Sequence, residues 1–116
     1  MTGMETAIAI HPSERGLRWP GGHCNEIATV DIGEDEIVSR LGRPLLEGVE
    51  EGLGAWKADG FFLSTGEMME LIVYLPIARE GFILRVDCDA RVDTAIAHFL
   101  SAFELTPDRL RWRCDQ

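Results

Sequence analysis

The chain has 116 residues, of which 20 are acidic and 11 basic, for a formal net charge of −9, and 46% are hydrophobic. This composition predicts one folded domain over 1–116 with a single core and argues against disorder. The charge makes nucleic acid and anionic membranes poor partners, since both require a basic footprint, and favours a cationic one.

No run is long enough to span a bilayer. The stretch Met1–Ile10 has neither a basic start nor a long apolar segment, so it does not read as a secretory signal. Cys24, Cys88 and Cys114 are odd in number and far apart, which argues against a disulfide framework and fits a reducing cytoplasm.

In chain order, residues 6–10 are expected as a short strand. Turn material follows at His11–Pro12–Ser13 and at Trp19–Pro20–Gly21–Gly22, with Trp19 expected to anchor on the core. Glu26–Ile32 reads as a strand with Ala28, Val30 and Ile32 on one side, ended by Gly33. Glu34–Leu41 reads as a short helix. Its acids lie in the first turn, where the helix dipole favours them. Ile37, Val38 and Leu41 form its apolar stripe, and Gly42 stops it.

Pro44 suits the first turn of a second helix to about Lys57, with Leu46, Val49, Leu53 and Trp56 at helical spacing. Gly48, Gly52 and Gly54 oppose that reading, each costing about 1 kcal/mol relative to Ala in a helix interior.

Residues 61–88 have the pattern of a central antiparallel meander. Met69–Leu75 is apolar at both parities, with Met69, Leu71, Val73 and Leu75 on one face and Ile72 and Tyr74 on the other, as in a strand covered on both sides. Phe82, Leu84, Val86 and Cys88 alternate with Ile83, Arg85 and Asp87, as in a half-buried strand. Ser64–Glu67 is a tight turn in which Gly66 supplies the positive φ. Pro76 ends the middle strand.

Asp89 can cap a further helix. Val92, Ala95, Ile96, Phe99, Leu100 and Phe103 give it the clearest helical stripe in the chain, and Thr106–Pro107 ends it. Leu110–Cys114 reads as a charged edge strand. The strand–helix–strand run from Phe82 to Cys114 can form a right-handed crossover. The predicted architecture is α+β: a mostly antiparallel four- to five-stranded sheet with two to three helices packed against it.

Asp87, Cys88 and Asp89, with Asp93 beyond, offer hard ligands for Mg²⁺ or Ca²⁺. The EF-hand pattern fails because Arg91 stands where a third ligand belongs and no glycine follows. The plainer reading is a strand end, a helix cap and first-turn carboxylates. His23–Cys24 would need two more zinc ligands, and only the distant His11, His98 and Cys114 exist, without metal-site spacing. His98 lies off the apolar stripe and is expected to be exposed. Ser64 and Thr65 sit in an ordinary turn, and no nucleophile elbow occurs. Gly48, Gly52 and Gly54 match no phosphate-cradling motif. No catalytic residue, metal ligand or cofactor is therefore assigned.

The acids Glu26, Asp31, Glu34, Asp35, Glu36, Glu47, Glu50 and Glu51 form a band interrupted only by Arg40 and Arg43, whereas the last strand carries Arg109, Arg111 and Arg113. Such a band is either a solvated face or a docking surface for a basic protein. With the meander, the terminal strand and stretches such as Gly81–Asp87 (GFILRVD) and Leu110–Trp112 (LRW), the chain resembles small acidic immunity proteins of bacterial contact-dependent inhibition and related polymorphic toxin systems.

That resemblance implies a cytoplasmic, non-catalytic domain that binds a cognate toxin, often a basic nuclease, as a monomer or weak homodimer. Electrostatics then nominates Glu34, Asp35, Glu36, Glu47, Glu50 and Glu51 as partner contacts. The alternatives are a small metal-dependent enzyme using Asp87, Asp89 and Asp93, or a dimeric adaptor built on the terminal strand.

Overall fold

The structure, a computed structural model, describes residues 7–14, 24–75 and 81–114. Among the described residues, seven strands and two α-helices make an α+β fold. The strands are β1 (Ile10–Pro12), β2 (Cys24–Val30), β3 (Leu46–Glu50), β4 (Gly54–Leu63), β5 (Met68–Tyr74), β6 (Phe82–Asp87) and β7 (Leu110–Arg113). The helices are α1 (Glu34–Leu41) and α2 (Val92–Phe103), with a 3₁₀ turn at Pro107–Arg109. The strand order is β1-β4-β5-β6-β2-β7, with β3 also paired to β4. Every pairing is antiparallel.

Strand parity decides what is buried. Phe61, Met69, Leu71, Leu84 and Val86 point toward the helices and pack with Ile37, Ala95, Ile96, Phe99 and Phe103. The Phe103 ring anchors this core, its centroid 5.3 Å from Phe61 and 4.7 Å from Phe99. Ile72, on the opposite face of β5, is also fully buried, so the strand is covered on both sides as its composition predicts. Gly66 takes φ 108° in the β4–β5 turn.

Between β5 and β6 the chain re-enters the sheet at Gly81. Its φ is 91°, and a Cβ there would lie 1.9 Å from the Val30 carbonyl oxygen, so only glycine fits. β6 and β7 both pair antiparallel with β2. They therefore run parallel to each other, and α2 carries the chain across β2 to the edge position expected for the last strand.

Several expectations are corrected. Residues 44–57 form no helix but the β3–β4 hairpin, the short strand expected at residues 6–10 is displaced to Ile10–Pro12, and the sheet has seven strands among the described residues rather than four or five. The hairpin loop closes through the Leu53 amide donating to the Glu50 carbonyl at 3.0 Å, with Gly52 at φ 84°. The close approach of Gly48 to Trp56 explains why strand wins: the two are cross-strand partners, and a Cβ on Gly48 would meet the Trp56 ring at 2.3 Å.

His11 and Pro12 belong to β1 rather than to a turn. A bulge between Glu26 and Ala28 breaks the alternation of β2, so Ile27 and Ala28 are both buried and Ile32 lies past the strand end. The N-cap of α2 is Arg91, not Asp89. The helix stops at Glu104, before Thr106 and Pro107 are reached. Leu75 and Cys88 lie outside their strands and are exposed. The turn at 19–22, the anchoring of Trp19 and the stop at Pro76 fall outside the described residues.

Candidate interaction surface

The acidic band divides into carboxylates that hold the fold together and carboxylates that do not. At the start of α1, Gly33 has no side chain to cap the helix. Glu36 instead reaches back, and its Oε1 accepts the Gly33 amide proton at 3.0 Å, half of a capping box. Arg109 donates to both oxygens of Glu36, at 2.9 and 3.1 Å, and to the Asp31 carbonyl at 2.7 Å. The Gly33 amide, with help from Arg109, holds the Glu36 carboxyl below its ordinary range.

Arg109 lies in the 3₁₀ turn rather than in the last strand where the sequence placed it, and the two arginines of β7 behave alike. Arg111 pairs with Asp31 at 3.0 Å, and Arg113 donates to Asp93. The two opposite charge runs thus meet as a seam joining α1, the β2–α1 link, α2 and β7.

Lys57 donates to Glu34 at 3.0 Å, and this pairing raises its pKa, with a smaller push from Glu47. Arg43 makes a bidentate pair with Asp59, 2.7 Å at both nitrogens, and Asp59 is almost fully buried in the middle of β4. No spacing in the sequence announces that pair.

On the sheet face away from the helices, Arg85 links Glu26 (2.9 Å), Glu70 (3.2 Å) and the Tyr74 hydroxyl (3.3 Å). Burial works against the Arg85 charge, but the Tyr74 and carboxylate partners outweigh it and raise its pKa.

Of the six nominated contacts, Glu34 and Glu36 are committed to Lys57 and Arg109, and Glu50 accepts the Tyr74 hydroxyl at 3.3 Å. Asp35, Glu47 and Glu51 have no hydrogen-bond partner among the described residues. The hairpin adds a feature that the charge pattern did not show. Val49 is 81% and Leu53 56% exposed, although both were expected on a buried stripe. β3 pairs with β4 alone, so it is an edge strand, and it presents Val49 on the same face as Glu47 while Glu50 lies on the other face with Tyr74. Large exposed apolar groups rimmed by polar ones mark contact sites.

The metal candidates are only partly assembled. Donor atoms of Asp87, Cys88 and Asp89 lie within 4.8 Å of one another, all exposed. Asp87 Oδ1 also accepts the Asp89 amide proton at 3.0 Å. Asp93 does not join them, because Arg113 takes it. His98 is not the exposed side chain expected from the sequence. It is half-buried, with Nδ1 2.5 Å from Glu67 Oε2, tying α2 to the β4–β5 turn. Burial pushes the Glu67 carboxyl up, but bonds from Thr65 and His98 outweigh it and hold it below the ordinary range. Cys24 opens β2 opposite Asp87, while its neighbour His23 lies outside the described residues.

No helix is long and apolar enough to cross a membrane among the described residues. Compared with known proteins, the chain matches no family model, no curated protein and no solved structure.

Proposed function

We propose that the chain is a binding protein that docks on a basic protein surface through the β3–β4 hairpin and the adjoining start of α1. As the resemblance to immunity proteins implies, the partner is a cognate toxin domain, blocked in the cytoplasm without catalysis by the chain. One observation carries this reading: Val49 and Leu53 are exposed on an edge hairpin that also carries Glu47 and Glu51, whose carboxylates have no hydrogen-bond partner among the described residues. Apolar anchors supply affinity on desolvation, and surrounding carboxylates speed encounter with a cationic surface and set register.

The test is binding to the C-terminal domain of the protein encoded immediately upstream. A one-to-one complex is expected, with association slowed and its salt dependence reduced by Glu47→Lys, Glu50→Lys and Glu51→Lys together. Unchanged binding by that triple variant removes the hairpin from the interface, and absence of a complex removes the toxin as partner.

A second reading is favoured by the convergence of Asp87, Cys88 and Asp89 after β6. In it the turn holds a hard divalent cation through the two carboxylates, and the chain is a small metal-dependent enzyme. Asp93 has no part in that site. Calorimetry with Mg²⁺, Mn²⁺ and Ca²⁺ decides: binding heat with a raised melting temperature supports it, and silence with all three ends it.

A further inference from the structure

Among the described residues β3 has one strand partner, β4, and its other edge is open. Which of its peptide groups lie on that edge follows from β4. The Leu75 amide donates to the Ala55 carbonyl, and the Leu63 amide to the Glu67 carbonyl, so the odd-numbered residues of β4 turn their peptide groups toward β5. The Ser13 amide donates to the Gly60 carbonyl, so the even-numbered residues face the opposite way, toward β1 and β3. Val49 stands opposite Ala55 and Glu47 opposite Lys57, in an unbroken register. Both are therefore pairs without ladder bonds, and the N–H and C=O groups of Glu47 and Val49 point outward from the sheet. Among the described residues nothing bonds to them.

Edge strands are ordinarily guarded by lysine, proline, a bulge or a covering element. β3 has no lysine, proline or bulge over Leu46–Glu50. The Val49 side chain is exposed beside Glu47, and every charge on the hairpin loop and β3 is negative. A second copy laid along this edge would bring Glu47, Glu50 and Glu51 beside their own equivalents, which repel. The far end of the sheet is β7, where Arg111 and Arg113 give the edge the reverse sign. β1, which lies on the same side of β4 as β3, is three residues long and contains Pro12. Of these edges, β3 alone is suited to a basic strand.

We propose that an extended basic segment of the protein partner adds to β3 as a further strand of the sheet. Its backbone bonds to the amides and carbonyls of Glu47 and Val49. On its near face, two residues apart, a lysine or arginine lies against Glu47 and an apolar side chain against Val49. Main-chain bonds supply affinity in this mode, and the alternate side chains supply selectivity. The proposal rests on the reading of the chain as a binder of a basic protein, and it names the segment that the hairpin takes and how it is held.

The probe is a blocked peptide of sequence threonine-lysine-threonine-valine-threonine-lysine-threonine, titrated into the ¹⁵N-labelled chain and followed by NMR. Saturable shifts and slowed hydrogen exchange are expected at the Glu47 and Val49 amides, with exchange unchanged at Gly48, whose peptide group faces Trp56. Docking by side chains alone does not produce that alternation. Methylating the valine nitrogen of the peptide removes one donor and keeps every side chain, and it should weaken binding about tenfold. Glutamate in place of both lysines should abolish binding. Val49→Pro should abolish it too while keeping the near-ultraviolet tryptophan signal, because the Val49 N–H has no part in the β3–β4 ladder.

Absence of saturable shifts, shifts without slowed exchange at Glu47 and Val49, or full affinity of the methylated or glutamate peptide overturns the proposal. The peptide and the toxin domain fail separately. A toxin complex weakened by charge reversal on the hairpin, with a silent peptide, keeps the hairpin reading and removes strand addition. A bound peptide without a toxin complex removes only the toxin.

Discussion

Helix α1 and the β3–β4 hairpin each carry three carboxylates of the acidic band, but the two sets do different work. Those of α1 are mostly tied into the frame: Glu36 caps its own helix and holds Arg109, and Glu34 holds Lys57. Those of the hairpin flank Val49 and Leu53 in the chain, and among the described residues their one hydrogen bond is from the Tyr74 hydroxyl to Glu50. A charge run in a sequence counts charges and not partners. Its meaning depends on which cations the fold delivers, and here the fold delivers Arg109 and Arg111 to one end of the band only.

If that contrast holds, substitutions in the frame lower stability and substitutions on the hairpin lower only binding. The largest effect is expected from Phe99→Ala. It removes the fully buried ring stacked on Phe103 and should cost about 3–5 kcal/mol in chemical denaturation. Asp59→Ala strands the Arg43 guanidinium beside a buried strand and should cost about 3 kcal/mol. A loss well below that would mean that Arg43 escapes to water.

Gly48→Ala drives a methyl into the Trp56 ring. It should cost about 1–3 kcal/mol and change the near-ultraviolet tryptophan signal, marking where the frame meets the hairpin. At the other extreme, Val49→Ser with Leu53→Ser should shift stability by no more than about 0.5 kcal/mol while severely weakening the complex proposed above.

Acid sharpens the contrast further. The carboxyls of Glu36 and Glu67 are held below their ordinary 4.5 in the folded state. Their stabilisation is therefore complete above that pH and is lost as the pH falls through the lowered values. Melting temperature measured from pH 7 down to pH 3 should fall mainly below about 4.5. Glu36→Gln and Glu67→Gln should each flatten that limb, and an unaltered limb in both variants would mean that neither carboxyl contributes.

Much of the frame was legible because its signals are local. In α2 the stripe from Val92 to Phe103 states period and burial together, and all of it except half-buried Leu100 is in the core. In α1 the first-turn acids and Gly42 mark both ends, and Gly42 takes the left-handed cap.

The hairpin was misread because Leu46, Val49, Leu53 and Trp56 imitate a helical stripe. The contrary signal was already present in Gly48, Gly52 and Gly54, two of which take positive φ and the third of which makes room for an indole. The site was less legible than the fold, since its content lies in long-range pairing. Arg109 finds Glu36 from 73 residues away, and Arg111 finds Asp31 from 80. No periodicity encodes such meetings, and the same blindness placed Asp93 with Asp87 and Asp89 rather than with Arg113.

The position of β2 between β6 and β7 has a consequence for how the chain matures. Residues 24–30 leave the ribosome well before their neighbours on either side, residues 82–87 and 110–113. β2 can close one edge only after residues 82–87 are made and the other only after residues 110–113, so the centre of this part of the sheet is sensitive to any stall before Arg113.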